Sequence, residues 1–582
     1  MSQSTGRPEL QQKLCPHLAT VYPDIDYEYW AEKIVSCMRY SNDLPNVAAH
    51  QNHWDQSDIA LITYGDSIVS KNEKPLVTLH QFLRNELQES INILHILPFF
   101  PYSSDDGFAV MDYTSVNPSL GDWPDVTALS KDFRLMADLV INHASARSRW
   151  FENFRKCIDP GKDYFFTADK NTDISKVVRP RNTPLLNAVQ TAEGEKLVWC
   201  TFGKDQVDLD FSNPKVLLEF VNIISHYMEW GVEIFRLDAV GFLWKKPGTS
   251  SLHLPQTHEL IKVLRLLIEH KNPRAIVITE TNVPNRENIT YFGNANEAHA
   301  VYNFSLPPLL VNTMISGNCQ HLKSWMMSMP PAQNGTAYLN FIASHDGIGL
   351  RPAEGLLQEQ EITQLIEAMQ SFGGLVSFRK GPGGFEKPYE INISLWDAMK
   401  GTLQEGEDSW QFQRFFCAHA IMLALEGIPA LYIHSLLGTP NDHKSFENTG
   451  HKRAINRHKW ERSGLQAALE DSALHHRKVL DSLKRLISIR SLQPAFHPNV
   501  TQYTLQLGDS IFSFWRQSLK RDQSIFCLNN VTNRPQQLLM SDLNLIDNES
   551  WFDLIGENSY GNGSNEIILE PYQSAWLTNC RY

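Results

Sequence analysis

The sequence predicts an α/β fold: a (β/α)8 TIM barrel with two insertions and a C-terminal antiparallel β-domain. Two observations predict it. Eight short apolar runs alternate with helical patterns across about 380 residues, and four charged motifs follow four of those runs. Barrel enzymes keep their chemistry at such strand ends.

The elements follow in chain order. Residues 1–54 form an N-terminal extension with one helical pattern, Tyr27 to Met38, whose Trp30, Ile34 and Met38 share a stripe. It reads as a helix packed on the main domain. The eight runs are Ile59–Tyr64, Ile93–Leu97, Leu135–Ile141, Glu233–Leu237, Ile276–Thr279, Val301–Phe304, Ala337–Ala343 and Ala430–Ile433. Their length and β-rich composition suit strands buried on both faces. Helical patterns at Thr78–Gln88, Pro214–Trp230, Thr257–His270 and Trp410–Leu425 supply crossovers. The barrel is thus expected in three parts, 55–143, 207–346 and 410–494.

Two interruptions are too long for simple loops. Residues 144–206 hold Tyr164–Ala168 and Leu197–Phe202 as short strands among prolines, a small inserted domain after the third strand. Residues 347–409 include Gly381-Pro382-Gly383-Gly384 and read as a mobile wall over the barrel mouth. From 495 to 582, runs at Ser510–Trp515, Ser524–Leu528, Gln537–Leu539, Trp551–Leu554 and Glu566–Leu569 indicate the β-domain.

Composition narrows the function. A formal net charge of −13 argues against a nucleic-acid groove. Eight scattered cysteines without a C-x-x-C suit reduced thiols rather than a disulfide or zinc framework. Met1–Leu10 has no apolar signal region and no run is long enough to span a bilayer, so a cytoplasmic protein, monomer or homodimer, is expected.

The chemistry is written at the strand ends. Asp138-Leu139-Val140-Ile141-Asn142-His143, Arg236-Leu237-Asp238, Thr279-Glu280 and His345-Asp346 fall at the third, fourth, fifth and seventh strands. Arg236 and Asp238, two residues apart, point to one face, so the guanidinium can orient the carboxylate. One ionised and one protonated carboxyl flanking a sugar is what retaining glycosyl transfer requires, and a cation beside Asp238 with carboxylates around Glu280 would separate their pKa values in that sense.

These four motifs resemble the four signature regions of the α-amylase superfamily of retaining glycosidases and transglycosidases. The resemblance implies Asp238 as nucleophile, Glu280 as general acid/base and Asp346 as the aspartate binding the sugar, with His143, His345 and Arg236 gripping the donor. His95–Phe100, Ser104–Phe108, Arg179-Pro180-Arg181, Asp205–Asp210 and Ala454-Ile455-Asn456-Arg457 are similar to the sucrose phosphorylase subfamily. That likeness implies Asp105 and Arg457 on the far glucose hydroxyls, Phe108 against the sugar face, Gln206 lining the site and Arg181 meeting phosphate. Phosphate would be a co-substrate, with no cofactor. Asn142 matches a calcium ligand of amylases, but the subfamily implies no metal.

Departures from the sucrose pattern gather at the acceptor side: Asn282 for a histidine, Glu390 for a glutamine, Phe242 for a tyrosine. Thr281–Pro284, Pro388–Asn392 and the N-terminal extension resemble the glucosylglycerate phosphorylase branch. The resemblance implies an acceptor subsite of Arg181, Asn282, Lys387, Tyr389 and Glu390, and phosphorolysis of 2-O-α-D-glucosyl-D-glycerate is the expected activity. Sucrose, sucrose 6-phosphate or glucosylglycerol phosphorolysis, α-glucoside hydrolysis and a non-catalytic binding barrel are the alternatives.

Overall fold

The computed structural model describes residues 6–41, 43–380, 386–543, 550–561 and 566–581. Eight parallel strands close a barrel: β1 (Ala60–Thr63), β2 (Ile93–Ile96), β3 (Arg134–Leu139), β4 (Val232–Leu237), β5 (Ile276–Thr279), β6 (Ala300–Tyr302), β7 (Ala337–Asn340) and β8 (Ile428–Tyr432). Each strand pairs with its sequence neighbour and β1 closes on β8, with Ala60 opposite Ala430. The strands are buried almost throughout, which is why they read as apolar runs without alternation.

Helices Pro214–Glu229 and Pro255–Lys271 cover β4 and β5. Proline at their first turn fits a position whose N–H has no intrahelical partner, and the Asn213 side chain caps the former by accepting from the Lys215 amide. These two crossovers carry the strands that end at Asp238 and Glu280, so their packing fixes where those carboxyls sit.

The N-terminal extension holds two helices, α1 (Arg7–Val21) and α2 (Tyr27–Cys37), where the sequence predicts one. α1 buries Leu10, Leu14, Leu18 and Val21, but Pro16 inside it masks the helical pattern in the sequence. α1 lies on helix Pro255–Lys271 and α2 on helix Pro214–Glu229. The join is specific: Tyr22 Oη donates to the Phe211 carbonyl at 2.9 Å, Tyr40 Oη to that of Leu267 at 2.8 Å, and His17 pairs with Glu259 at 2.6 Å.

The insertion after β3 contains a three-stranded antiparallel sheet of Thr167–Ala168, Gly194–Trp199 and Leu186–Thr191. The last strand escaped the sequence reading because it is half-buried and polar, Leu-Asn-Ala-Val-Gln-Thr. Gln206–Asp208 returns against His143–Ser145, tying the insertion to the end of β3. The insertion after β7, expected as a mobile wall, holds regular elements among its described residues. It folds as helix Glu359–Ser371, closed at its start by a Gln358/Glu361 capping box, and a sheet of Ile348–Gly349, Glu386–Asn392 and Leu375–Lys380. The expected glycine-rich stretch, 381–384, lies outside the described residues. The C-terminal unit is a six-stranded antiparallel sheet with a separate two-stranded ribbon, Gln536–Leu539 on Glu566–Leu569. Gln502–Thr504, Ser559–Tyr560 and Ser574–Thr578 are strands that the sequence reading missed.

Leu14 is fully buried under α1. Leu14→Ala should therefore cost about 2–5 kcal/mol in denaturant unfolding, against less than about 0.5 kcal/mol for Lys13→Ala on the exposed face. Equal effects of the two changes would show that the extension is not part of the core.

Candidate active site

The site grows from one buried guanidinium. Arg236, 2 % exposed near the end of β4, donates from Nη1 to Asp238 Oδ1 at 2.7 Å and to Asp138 on β3, and its Nη2 lies 3.9 Å from Glu280 Oε2. Its flat face sits over the rings of Phe108 and Tyr302, 5.7 and 5.5 Å from their centroids. His95 Nε2 lies 2.7 Å from Asp138 on the other side. Directly after Asp238, Ala239 adopts a left-handed backbone (φ 50°), a conformation costing on the order of 1 kcal/mol for a residue with a Cβ. In that turn its amide donates to Glu280 Oε2 at 3.0 Å, tying the end of β4 to the end of β5.

Asp346 follows β7. Arg453 Nη1 lies 2.5 Å from its carboxylate, and His345 and Arg457 lie 3.6 and 3.9 Å away. Burial opposes its ionisation, but Arg453, His345 and Arg457 outweigh that and hold its pKa well below the usual carboxylate range. His345 stacks on Phe108 (5.3 Å, 9°) and burial lowers its pKa to about 3, so it is neutral. His143 is also kept neutral by burial and lies 2.9 Å from the Phe108 carbonyl; Gln206 donates to Asp105 at 3.1 Å. For Asp105 too, burial is outweighed, by Arg453, Arg181 and Arg457.

One cavity at the carboxyl end of the barrel is lined by Asp105, Phe108, His143, Arg181, Gln206, Arg236, Asp238, Glu280, Asn282, His345, Asp346 and Tyr389. Three expected members are placed elsewhere. Arg457 does not face the cavity beside Asp105: it pairs with Asp106 and donates to the His345 carbonyl at 2.9 Å. Asp105 and Asp106 are both left-handed (φ 54° and 47°) in the turn that presents the Asp106 carboxylate to Arg457. Lys387 is exposed, opposite Arg379 at the outer end of the Glu386–Asn392 strand. Glu390 is buried behind the cavity wall, where Arg453 grips it at 2.9 and 2.6 Å and the Asn392 amide donates at 2.8 Å. Its carboxylate is thereby neutralised and does not confront an acceptor.

Sequence reasoning missed Arg453 and Arg351, both in the cavity wall. Arg453 was findable: it precedes Ala454-Ile455-Asn456-Arg457 directly, and a carboxylate at Glu390 beside other acids demands a nearby cation.

The pKa expectation also changes. Arg236 is shared with Asp138, so its charge does not hold Asp238 alone. Burial first, then Glu280 and Asp138, raise Asp238 well above the ordinary range; burial and Asp346 raise Glu280. Two such neighbours titrate as a pair. Within that pair the 2.7 Å contact with Arg236 favours the charge on Asp238, while the Ala239 amide at 3.0 Å favours it on Glu280.

The oxygens around Asn142 hold a cation of the protein's own. The buried Lys245 ammonium donates to Asn142 Oδ1 at 2.7 Å and lies 3.0 Å from Asp208, with the carbonyls of Leu209 and Leu243 at 3.4 and 3.3 Å.

A carboxyl whose pKa is raised on folding binds its proton more tightly when folded, so it loses stability as pH rises from its unfolded pKa through its folded one. Glu280→Gln should therefore raise the melting temperature of the ligand-free enzyme, and the gain should be larger at pH 8 than at pH 4.5. A gain that shrinks with rising pH would contradict the assignment of strain to this carboxyl.

The sequence and fold place the chain among known proteins. Residues 87–354 match the α-amylase catalytic domain. The chain is 40 % identical to a glucosylglycerate phosphorylase of Allomeiothermus silvanus over 99 % of its length and all of the relative's, and 40 % identical to that of Escherichia coli over 98 % and 100 %. A sucrose phosphorylase of Agrobacterium vitis is 31 % identical over 79 % of this chain and 93 % of the relative. The crystal structure of sucrose 6F-phosphate phosphorylase from Thermoanaerobacter thermosaccharolyticum superposes with a TM-score of 0.70 at 26 % identity, covering 82 % of this chain and 94 % of that one. With the barrel, the carboxyl cluster at its strand ends and this likeness over nearly the full length, the chain belongs to the α-amylase family, in its group of glucoside phosphorylases.

Proposed function

We propose that the protein is a retaining phosphorylase that converts 2-O-α-D-glucosyl-D-glycerate and phosphate into α-glucose 1-phosphate and D-glycerate. The observation that carries this reading is the 40 % identity to glucosylglycerate phosphorylases over 98–99 % of the chain, set against 31 % over 79 % for the sucrose phosphorylase. The geometry supports the chemistry. Asp238, aimed by Arg236, attacks the anomeric carbon while Glu280 delivers its proton to the glycerate 2-oxygen as the glycosidic bond breaks. Loss of that proton from Glu280 then prepares the second step. A phosphate oxygen attacks the glucosyl–Asp238 ester, its proton passes to Glu280, and Asp238 is freed. The two inversions retain the α configuration. The protonation state of Glu280 also tunes Asp238: a neutral Glu280 removes the like charge that raises it.

Asp346, held ionised by Arg453, is assigned to the donor sugar, with Asp105, Gln206, His143 and His345 around it. Arg181 and Tyr389 face the side where phosphate and glycerate, two small anions, alternate; a planar guanidinium suits both. We assign no metal to the reaction, because the Lys245 ammonium already satisfies the oxygens around Asn142. Eight free cysteines support a reducing compartment, the cytoplasm.

A phosphorolysis panel of glucosylglycerate, sucrose, sucrose 6-phosphate and glucosylglycerol, run in EDTA with inorganic phosphate, should release glucose 1-phosphate fastest from glucosylglycerate. Faster release from sucrose would reassign the acceptor. Release of free glucose independent of phosphate would make the enzyme a hydrolase, and calcium-dependent recovery of lost activity would overturn the metal-free assignment.

A further inference from the structure

Four arginines line the cavity: Arg181, Arg236, Arg351 and Arg453. Two are committed to carboxylates of the protein, Arg236 to Asp138 and Asp238, Arg453 to Asp346 and Glu390. Arg351 differs. Among the described residues the nearest carboxylate oxygen to it is Glu287 Oε2 at 4.0 Å, beyond hydrogen-bond reach, and that carboxylate is 3.3 Å from His253 Nε2. The Arg351 side chain is 18 % exposed, and among the described residues no carboxylate lies within hydrogen-bond reach of its guanidinium.

Its backbone is firmly held. Arg351 lies in the short turn that follows Asp346, between the Leu350 amide, which donates to the Tyr389 carbonyl at 3.0 Å, and Pro352, whose carbonyl accepts from Ser305 Oγ at 3.1 Å. Beside it, Asn282 lies against Gly349, where a Cβ would meet the Asn282 amide at 3.0 Å. Asn282 Oδ1 is buried with no hydrogen-bond partner among the described residues. The same cavity wall thus offers a guanidinium fork awaiting an anion and an amide oxygen awaiting a donor. A small hydroxy acid supplies both, a carboxylate and a hydroxyl.

We propose that Arg351 is the specificity residue that reads the acceptor's carboxylate, with Asn282 accepting from an acceptor hydroxyl; this rests on the reading of the protein as a glucosylglycerate phosphorylase. Glycerol is the discriminating probe, since it replaces the carboxylate of glycerate by a hydroxymethyl group and would leave the guanidinium without its anion. Neither role is needed for attack on the donor glucose.

The test runs the reaction toward synthesis, with α-glucose 1-phosphate as donor and either D-glycerate or glycerol as acceptor, on wild type, Arg351→Met and Arg351→Lys. The readout is the ratio of kcat/KM on the two acceptors within each preparation, so any loss of folded enzyme cancels. Arg351→Met should lower the glycerate-to-glycerol ratio by about 10- to 150-fold, the worth of a charge-assisted contact. Arg351→Lys should fall between, since an ammonium keeps the charge but not the fork. An unchanged ratio, with both acceptors losing equally, would make Arg351 a brace of its loop and overturn the proposal. A wild-type enzyme that prefers glycerol would overturn both the function and this inference, whereas a wild type preferring glycerate with unchanged ratios in the variants would overturn the inference alone.

Discussion

The whole site depends on one buried guanidinium placed between two strands. Arg236 leaves β4 into the barrel interior, where water cannot solvate it, and the fold surrounds it with Asp138 from β3, Asp238 from the end of β4 and Glu280 from the end of β5. Breaking a buried pair of this kind costs about 3–5 kcal/mol, because the remaining charge stays desolvated. The same group thus ties β3 to the end of β4 and orients the carboxylate proposed as nucleophile. The aromatic faces of Phe108 and Tyr302 complete the enclosure.

A second guanidinium repeats the arrangement on the far side of the cavity. Arg453 joins Asp346, after β7, to Glu390 of the inserted sheet. The insertion after β7 is thereby fastened to the catalytic face instead of hanging over it. Its short sheet also presents Tyr389 to the cavity. The N-terminal helices act from behind, buttressing the two crossovers whose strands end in Asp238 and Glu280. The N-terminal helices and the insertion after β7 thus both bear on the position of these carboxyls.

Much of this was legible in the sequence, for physical reasons that differ by element. The barrel strands are buried on both faces and short, so they appear as apolar runs, and Ile276–Thr279 was placed residue for residue. The carboxyls at strand ends were legible because few structural tasks need Arg236-Leu237-Asp238 and His345-Asp346 at that spacing. Elements outside the barrel were less so. Pro16 hid α1, and the polar strand Leu186–Thr191 carries no apolar signal. That Arg453 rather than Arg457 lines the cavity follows from the backbone of the Lys452–Asn456 turn, which no side-chain pattern announces. The sharing of Arg236 with Asp138 was likewise invisible, since it needs the β3–β4 register that sets Asp138 beside Arg236.

The central claim is that Asp238, oriented by Arg236, becomes covalently glucosylated. It is tested most directly by mass spectrometry of the Glu280→Gln enzyme after reaction with α-glucosyl fluoride, a donor whose leaving group needs no proton. The account predicts a mass gain of one hexosyl residue on the peptide containing Asp238, released as α-glucose 1-phosphate when phosphate is added. A stable adduct on another carboxylate, or consumption of the fluoride with no adduct and a β-configured product, would contradict it.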